Sequence, residues 1–547
     1  MHPFRTSRSV HARSVGHAST TLCAIAAGVI LAVVALWPLA PVAAALIPPP
    51  TLDRVAPAQL TQALLISALI AALIASLATA LGWPLAWALA SHSRRVPGAL
   101  WKPLIFLPLF LPQTLAYTGW GVLRSPDTFV GDRIVTAAQA GARWLPVLID
   151  RVLAVGGLAL WSAPLGGAIM AIWVATTPPQ VLDVARLESP PGPRRHARLV
   201  AMHWRAMLVA WLVVMAIMLG SAVPIHLAQL PTHATVVWRL LAESTPRSRD
   251  AVWLAATPAV ALALVAAFAA TVVAIRNRPN APIGRGRLEG GVGAALWTAA
   301  IWSLALVVPL TLLVATVSDW SAVGRFWRFG SEAVVNSVLV ASCVACACVA
   351  LTVVLGACLH GMSALVRTIA LIATLLLVVS AMVPGVMIGA ATAEAWLGAS
   401  AVRDSLALVV LAHVARFGAL AAIGALALRL ATPKPLRDLD RIEDASGLGD
   451  WFRTVGAARW GMLVAVGLTS AALSVQEIEA SVMIQPPGGG NLARYTLDAL
   501  HFARLDDLTA ALLAQLAVCG ACWVVASVAI VGFTRRAGVR ITSSPQP

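Results

Sequence analysis

Charge is scarce in this sequence. Of 547 residues only 11% are Asp, Glu, Lys or Arg, while 59% are hydrophobic and mean hydropathy is +0.85. A water-soluble fold could not hide that much apolar surface, so a soluble chain is excluded. Short alternating strands are also missing, and with them the signature of a transmembrane barrel. No G-x-x-x-x-G-K-[ST] phosphate loop occurs, which excludes P-loop nucleotide hydrolysis by this chain. Basic residues are not interleaved with aromatics, so nucleic acid is not the partner of the +16 net charge. The seven cysteines all fall in apolar runs, where disulfides are not expected. Cys343 with Cys346 and Cys519 with Cys522 share helix faces, but no His or acid stands near to complete a metal site. They read as small packing residues, and neither metal nor cofactor is expected.

Long apolar runs are what remains. Twelve are expected to cross a bilayer as helices, near 21–46, 60–90, 101–123, 152–175, 206–230, 251–275, 293–317, 334–359, 366–392, 405–429, 461–484 and 508–533. The fold class is therefore all-α, a polytopic membrane protein. With the N-terminus inside, about 25 Lys and Arg fall in inner loops against about 13 in outer ones, so both termini are expected in the cytoplasm. Reporter fusions after Arg195, Arg287 and Arg453 should then report the cytoplasm, and fusions after Asp132, Arg247 and Arg504 the opposite side. An external signal from the Arg195 and Arg453 loops would overturn this orientation. The run after Arg5, Arg8 and Arg13 is too long for a cleaved signal and reads as an uncleaved anchor.

The chain repeats itself. "LTQALLISALIAALIASLATALGWPLAWALAS" from Leu60 aligns with "AVVNSVLVASCVACACVALTVVLGACLHG" from Ala333, placing Gln62 on Asn336 and Gly82 on Gly356. A proline-punctuated span follows each, "FLPLFLPQTLAYTGWG" and "AMVPGVMIGAA", then another span and a polar loop on the cytoplasmic side. The expected organisation is a basic tail over 1–20, a first half over 21–280, a second over 281–533, with six spans each, and a tail over 534–547. The polar loops are "DVARLESPPGPRRHARLVAMHWRAML" from Asp183 and "RDLDRIEDASGLGDWFRTVGAARW" from Arg437. Taken alone, such a loop could simply be a solvated stop between spans.

With its doubled layout and these loops, the chain resembles the fused two-half permeases of binding-protein-dependent ATP-binding cassette importers, of the ferric-iron and thiamine type with a MetI-like transmembrane fold. That family carries a Glu-Ala-Ala loop whose short helix docks on the ATPase. Asp183, Val184 and Ala185 match the triplet, followed by Arg186, Leu187 and Glu188; in the second half Asp438, Leu439 and Asp440 match it, followed by Arg441, Ile442 and Glu443. "RRVPGALWKPLIFLPLFLP" resembles the entry to the third span, and "EIEASVMIQPPGGG" from Glu477 the outer end of the penultimate one. The likeness runs over residues 60–533. Ser189 and Asp444 stand at the loop glycine, and Pro190, Pro191 and Pro193 would break any helix running through them. The resemblance implies a separate ATP-hydrolysing subunit, paired in family fashion as a dimer, an extracytoplasmic solute-binding protein, residence in the inner (cytoplasmic) membrane, no enzymatic activity of its own, and the residues Asp183, Arg186, Glu188, Asp438, Arg441 and Glu443 as ATPase-coupling positions.

Arg416 stands apart, in mid-span. Such a charge must face the bundle interior and find a partner. Glu477 is the nearest acid in sequence logic, with Glu479 two residues on, although the count along its helix leaves an axial offset. The group reads either as a lock between helices or as a charged point on the translocation path. His413, three residues earlier on the same face, reads as a packing or hydrogen-bonding residue or as a proton relay. Asp498, Asp506 and Asp507 read as a wet loop and helix start, or as an acid pair for group transfer. Two other classes stay open: a stand-alone secondary transporter, and a membrane-embedded enzyme.

Overall fold

A computed structural model describes residues 25, 28, 29, 32–45, 57–90, 104–126, 128–188, 193–243, 249–276, 292–360, 364–432, 451–456, 459–502 and 504–542. Among them there is no strand. In chain order the helices are α1 (Leu39–Ala45), α2 (Pro57–Ala90), α3 (Gln113–Gly121), α4 (Phe129–Gln139), α5 (Leu145–Ala175), α6 (Pro179–Glu188), α7 (Pro193–Met202), α8 (Trp204–Leu219), α9 (Val223–Leu227), α10 (His233–Glu243), α11 (Arg249–Arg276) and α12 (Val292–Trp302). They continue with α13 (Val308–Ala315), α14 (Ser321–Phe329), α15 (Ser331–His360), α16 (Ala364–Met382), α17 (Gly385–Ala395), α18 (Ser400–Arg403), α19 (Leu406–Ala431), α20 (Trp460–Gln476), α21 (Glu479–Ile484), α22 (Leu492–His501) and α23 (Leu505–Thr542).

The Ala, Leu and Val runs leave each helix satisfying its own backbone, as a bilayer requires. Hydroxyls inside them follow suit. Ser162 donates to the Leu158 carbonyl at 2.7 Å, Thr352 to Cys348 at 2.8 Å and Thr374 to Ala370 at 2.8 Å. Among the described residues, eight helical stretches are long and apolar enough to cross a membrane: Ala58–Ala90, Leu145–Ala175, Asp250–Val273, Gly293–Ala315, Ser331–His360, Ala364–Met382, Leu406–Arg429 and Leu505–Ile530. The chain is an all-α, multi-pass membrane protein.

Eight falls short of twelve for a physical reason. The runs expected near 101–123, 206–230 and 461–484 are each interrupted, so no single helix in them reaches spanning length; most of the run at 21–46 lies outside the described residues. The run at 366–392 is interrupted too, between α16 and α17. Pro112 and Pro384 cap α3 and α17 with nearly the same backbone, φ −54°, ψ 131° and φ −53°, ψ 136°. Each lacks an amide hydrogen and pushes the preceding residue out of the helical region. Leu111 accordingly is extended at φ −95°, ψ 144°. The other two breaks, Gly220–Ala222 and Glu477–Ile478, contain no proline.

Two compact units result, and their borders are not those read from the sequence. One takes the described residues within 1–47, 331–495 and 517–547, the other those within 48–330 and 496–516. The leading segment of each sequence half is thus exchanged. In the first unit Val34 joins the core of Val340, Val344, Leu408 and Ala412, and the Trp37 indole donates to the Ala395 carbonyl at 3.0 Å. In the second unit Leu306 and Leu313 pack with Leu111 and Leu115, and the Trp297 indole donates to the Leu81 carbonyl at 3.0 Å. An apolar helix with an indole N–H gains both packing and an acceptor by lying on another helix pair.

The two repeat-matched glycines do different work. A Cβ on Gly82 would stand 2.6 Å from the Ala163 carbonyl oxygen and 2.7 Å from the Gly167 nitrogen, so α2 and α5 touch backbone to backbone. At Gly356 the nearest atom is the ring of Trp451, 2.7 Å from such a Cβ. Trp451, near the end of the second polar loop, is buried with Ala357, Leu428, Val455 and Leu463. That end of the loop is packed.

Candidate functional site

Among the described residues, a buried polar cluster lies where two interrupted helix pairs meet, α16/α17 and α20/α21, beside α19. Ser405 starts α19 by accepting from the Ala407 amide at 3.3 Å. Eleven residues on, about 16 Å along the axis, stands Arg416. Its side chain is 14% exposed, those of Glu477 and Glu479 9% and 7%. The guanidinium makes its shortest bond to the Val383 carbonyl, at 2.7 Å, the last carbonyl before the Pro384 break. Glu477 lies 3.5 Å from Arg416 Nε and Glu479 3.4 Å from its other arm. Those separations exceed the 2.7–2.9 Å typical of tight charge-assisted bonds.

The carboxylates answer to helix ends as well. Glu477 Oε1 accepts from the Ala480 amide at 3.0 Å, capping α21, and its carbonyl accepts from Ser481 Oγ at 2.7 Å. Both acids close over Gly385, the first residue of α17; a Cβ there would stand 2.8 Å from Glu479 Cβ and 2.9 Å from Glu477 Oε1. An N-terminal helix end stabilises negative charge, so α17 shares with Arg416 the work of holding two anions. The axial offset expected from counting along a continuous helix disappears because α20 stops at Gln476 and the chain turns at Glu477, φ −73°, ψ 105°.

His413 sits one turn from Arg416 and is fully buried. Its Nδ1 pairs with Ser474 Oγ at 2.8 Å and its Nε2 with Ser481 Oγ at 2.9 Å, tying α19 to both pieces of the interrupted helix. Asn491 Nδ2 donates to the same Ser481 hydroxyl at 3.0 Å, and Asn336 Nδ2 to the Gly490 carbonyl at 3.0 Å. The arrangement can hold charge, bind a polar group and transmit a movement of one helix piece to another. His413 thus sits in a hydrogen-bond network.

The second unit has the same joint without the charge. There Trp161 Nε1 donates to the Leu111 carbonyl at 3.0 Å, the last before Pro112, as Arg416 does to Val383. Where Glu477 and Glu479 flank one break, Gly220, Ser221 and Ala222 form the other. That unit's buried charge is elsewhere: Asp150 accepts from Tyr117 at 2.9 Å and pairs with Arg124 at 3.0 Å, fastening α3 to α5.

The coupling positions divide. Asp183 and Glu188 are exposed on α6, and Arg186 belongs to the same helix. Glu188 pairs with Arg198 of α7 at 2.6 Å. Of the loop prolines, Pro193 opens α7, and Pro190 and Pro191 lie outside the described residues. Asp438, Arg441 and Glu443 lie outside the described residues. On another loop, Asp506 accepts from Ser318 N at 3.0 Å and Ser318 Oγ at 2.7 Å, while Asp507 is 3.7 Å from Arg325 and 3.6 Å from Arg504. These two acids brace a loop.

Sequence reasoning missed Val383, Gly385, Gly389, Ser474, Ser481 and Asn491. The Pro384-Gly385 pair was the available signal, since a proline and glycine inside an apolar run mark a break with close neighbours. The chain matches no family model, no curated protein and no solved structure.

Proposed function

We propose that this chain is the membrane-spanning permease of an ATP-driven importer. It acts through a separate ATPase, paired as a dimer, and receives a small solute from an extracytoplasmic binding protein. On this reading each interrupted pair counts as one crossing, which with the anchor restores twelve spans in two halves. The membrane is the cytoplasmic one and both termini lie inside. Ferric iron and thiamine are the solute types the resemblance carries.

One observation supports this reading most. The short helix α6, between the long α5 and the apolar α8, exposes Val181, Val184 and Leu187 along one stripe, with Leu187 87% exposed, and displays Asp183 and Glu188 beside them. A helix that leaves leucine in water while holding charges at its flanks is suited to receive force from a protein partner. The matching stretch at Asp438, Arg441 and Glu443 serves the other half.

The test is a pull-down with transport. Replacing Asp183, Arg186 and Glu188 together by alanine, or adding Leu187→Asp, should leave the protein inserted yet lower ATPase association and transport several-fold. The triple change at Asp438, Arg441 and Glu443 should do the same. Undiminished partner recovery in both would return these loops to solvated stops between spans. A secondary transporter is the second reading, favoured by the buried Arg416–Glu477–Glu479 group at helix breaks. Uptake that follows an ion gradient in vesicles holding this chain alone would select it.

A further inference from the structure

The connection 316–330 joins two consecutive candidate spans, Gly293–Ala315 and Ser331–His360. Both ends of it must therefore return to one face of the membrane. Within it α14, Ser321–Phe329, is strongly two-sided, but in three directions and not two. Ala322 and Phe326 are buried and form a ridge toward the protein. Val323, Trp327 and the preceding Trp320 lie roughly 80–140° to one side of that ridge, and Ser321, Arg325 and Arg328 about as far to the other. Trp320 and Trp327 are 54% and 55% exposed.

The loop is held in place. Asp319 accepts from the Ser321 amide at 2.9 Å and pairs with Arg325 at 2.6 Å, and those bonds bring its carboxyl down to about 2. Asp506 and Asp507, in the first turn of α23, hold Ser318 and Arg325 from the other side. The aromatic flank is thus presented by a braced helix. Phe502, exposed beside Arg504 with the guanidinium 5.9 Å from its ring, extends the same aromatic and basic character next to Asp507.

We infer that α14 is an interfacial helix, lying in the membrane surface with Trp320 and Trp327 in the headgroup–acyl boundary and Arg328 at phosphate level. Indoles favour that depth because one edge is apolar and the N–H wants a polar partner. Arg and Asp are balanced here, with Arg325, Arg328 and Arg504 against Asp319, Asp506 and Asp507, and Arg325 pairs with Asp319 and Asp507 while Arg504 pairs with Asp507. The seat is therefore for ordinary zwitterionic phospholipid, with no demand for an anionic headgroup. A flat aromatic flank on a soluble partner is the competing occupant.

Photocrosslinking on the full chain in phosphatidylcholine vesicles separates these. With p-benzoylphenylalanine in place of Trp327, irradiation should give a phospholipid adduct by mass spectrometry, at a yield comparable to the same residue replacing Leu339, exposed in the neighbouring span. The replacement at Arg328 should give several-fold less. Lipid adducts at Leu339 with none at Trp327, or equal yields at Trp327 and Arg328, would overturn the inference. So would a protein adduct at Trp327 in native membranes. Should the Trp327 variant fail to fold, Trp320 on the same flank gives the same readout.

Discussion

Arg416→Leu should destabilise the protein by about 3–5 kcal/mol, the usual result of removing one member of a buried ion group. Two buried carboxylates would lose the cation they share, and the Val383 carbonyl would lose its donor at 2.7 Å. The expected readout is a sharp fall in monodisperse protein after detergent extraction. Neutralising the acids as well, with Glu477→Gln and Glu479→Gln on the Arg416→Leu background, should recover much of the folded yield, because no uncompensated charge remains. A simple exchange, Arg416→Glu with Glu477→Arg, should not. It would set a guanidinium over Gly385 at the N-terminus of α17, where positive charge is unfavourable, and would remove the acceptor that caps Ala480. If the neutral triple variant folds but does not transport, the charge lies on the solute path. If Arg416→Leu alone folds and transports like the parent, the group is neither lock nor path.

Much of this was legible in the sequence, and the illegible part has a common cause. Hydropathy reveals apolar length, so α2, α5, α15 and α19 stood out. It does not reveal interruption, because Leu107–Gly121 and Ala364–Ala395 remain apolar across their breaks. Arg416 was conspicuous because a mid-span charge is expensive, and its partners followed from the scarcity of acids. What counting could not supply was the bend at Glu477 that brings both acids to it. The exchange of leading segments was equally hidden, since an apolar helix at 292–315 looks the same whichever neighbour it packs on. Trp37 and Trp297 were the visible tokens of it, but an indole announces only that it needs an acceptor. The helical form of α6 was concealed for another reason: Pro190, Pro191 and Pro193 crowd the same loop, yet the chain is helical over Pro179–Glu188 ahead of them.

Gly389→Ala, a change of one methyl group, should also have a large effect. Gly389 lies one helical turn after Gly385 on α17, and a Cβ there would stand 2.5 Å from the Ala480 carbonyl oxygen and 3.1 Å from both Ala480 Cα and Met483 Cβ. The first of these is backbone and cannot rotate away. Relief requires α17 and α21 to part by about 1 Å, at a cost of about 1–3 kcal/mol for overpacking. Because Glu477 and Glu479 close on Gly385 of the same helix, that parting also loosens the acids' hold on the α17 end while Arg416 keeps its bond to Val383 on the other side of the break. Gly398→Ala is the control: nothing lies within 4 Å of its Cβ, so its effect should stay within about 0.5 kcal/mol. Measured as thermal stability in detergent alongside uptake per folded molecule, Gly389→Ala should lower both, and uptake by more than the loss of folded protein explains. Equal losses would make the α17–α21 contact structural only. Parental stability for Gly389→Ala would mean that the two helix pieces do not pack as closely as 2.5 Å implies, and the joint would then not couple them.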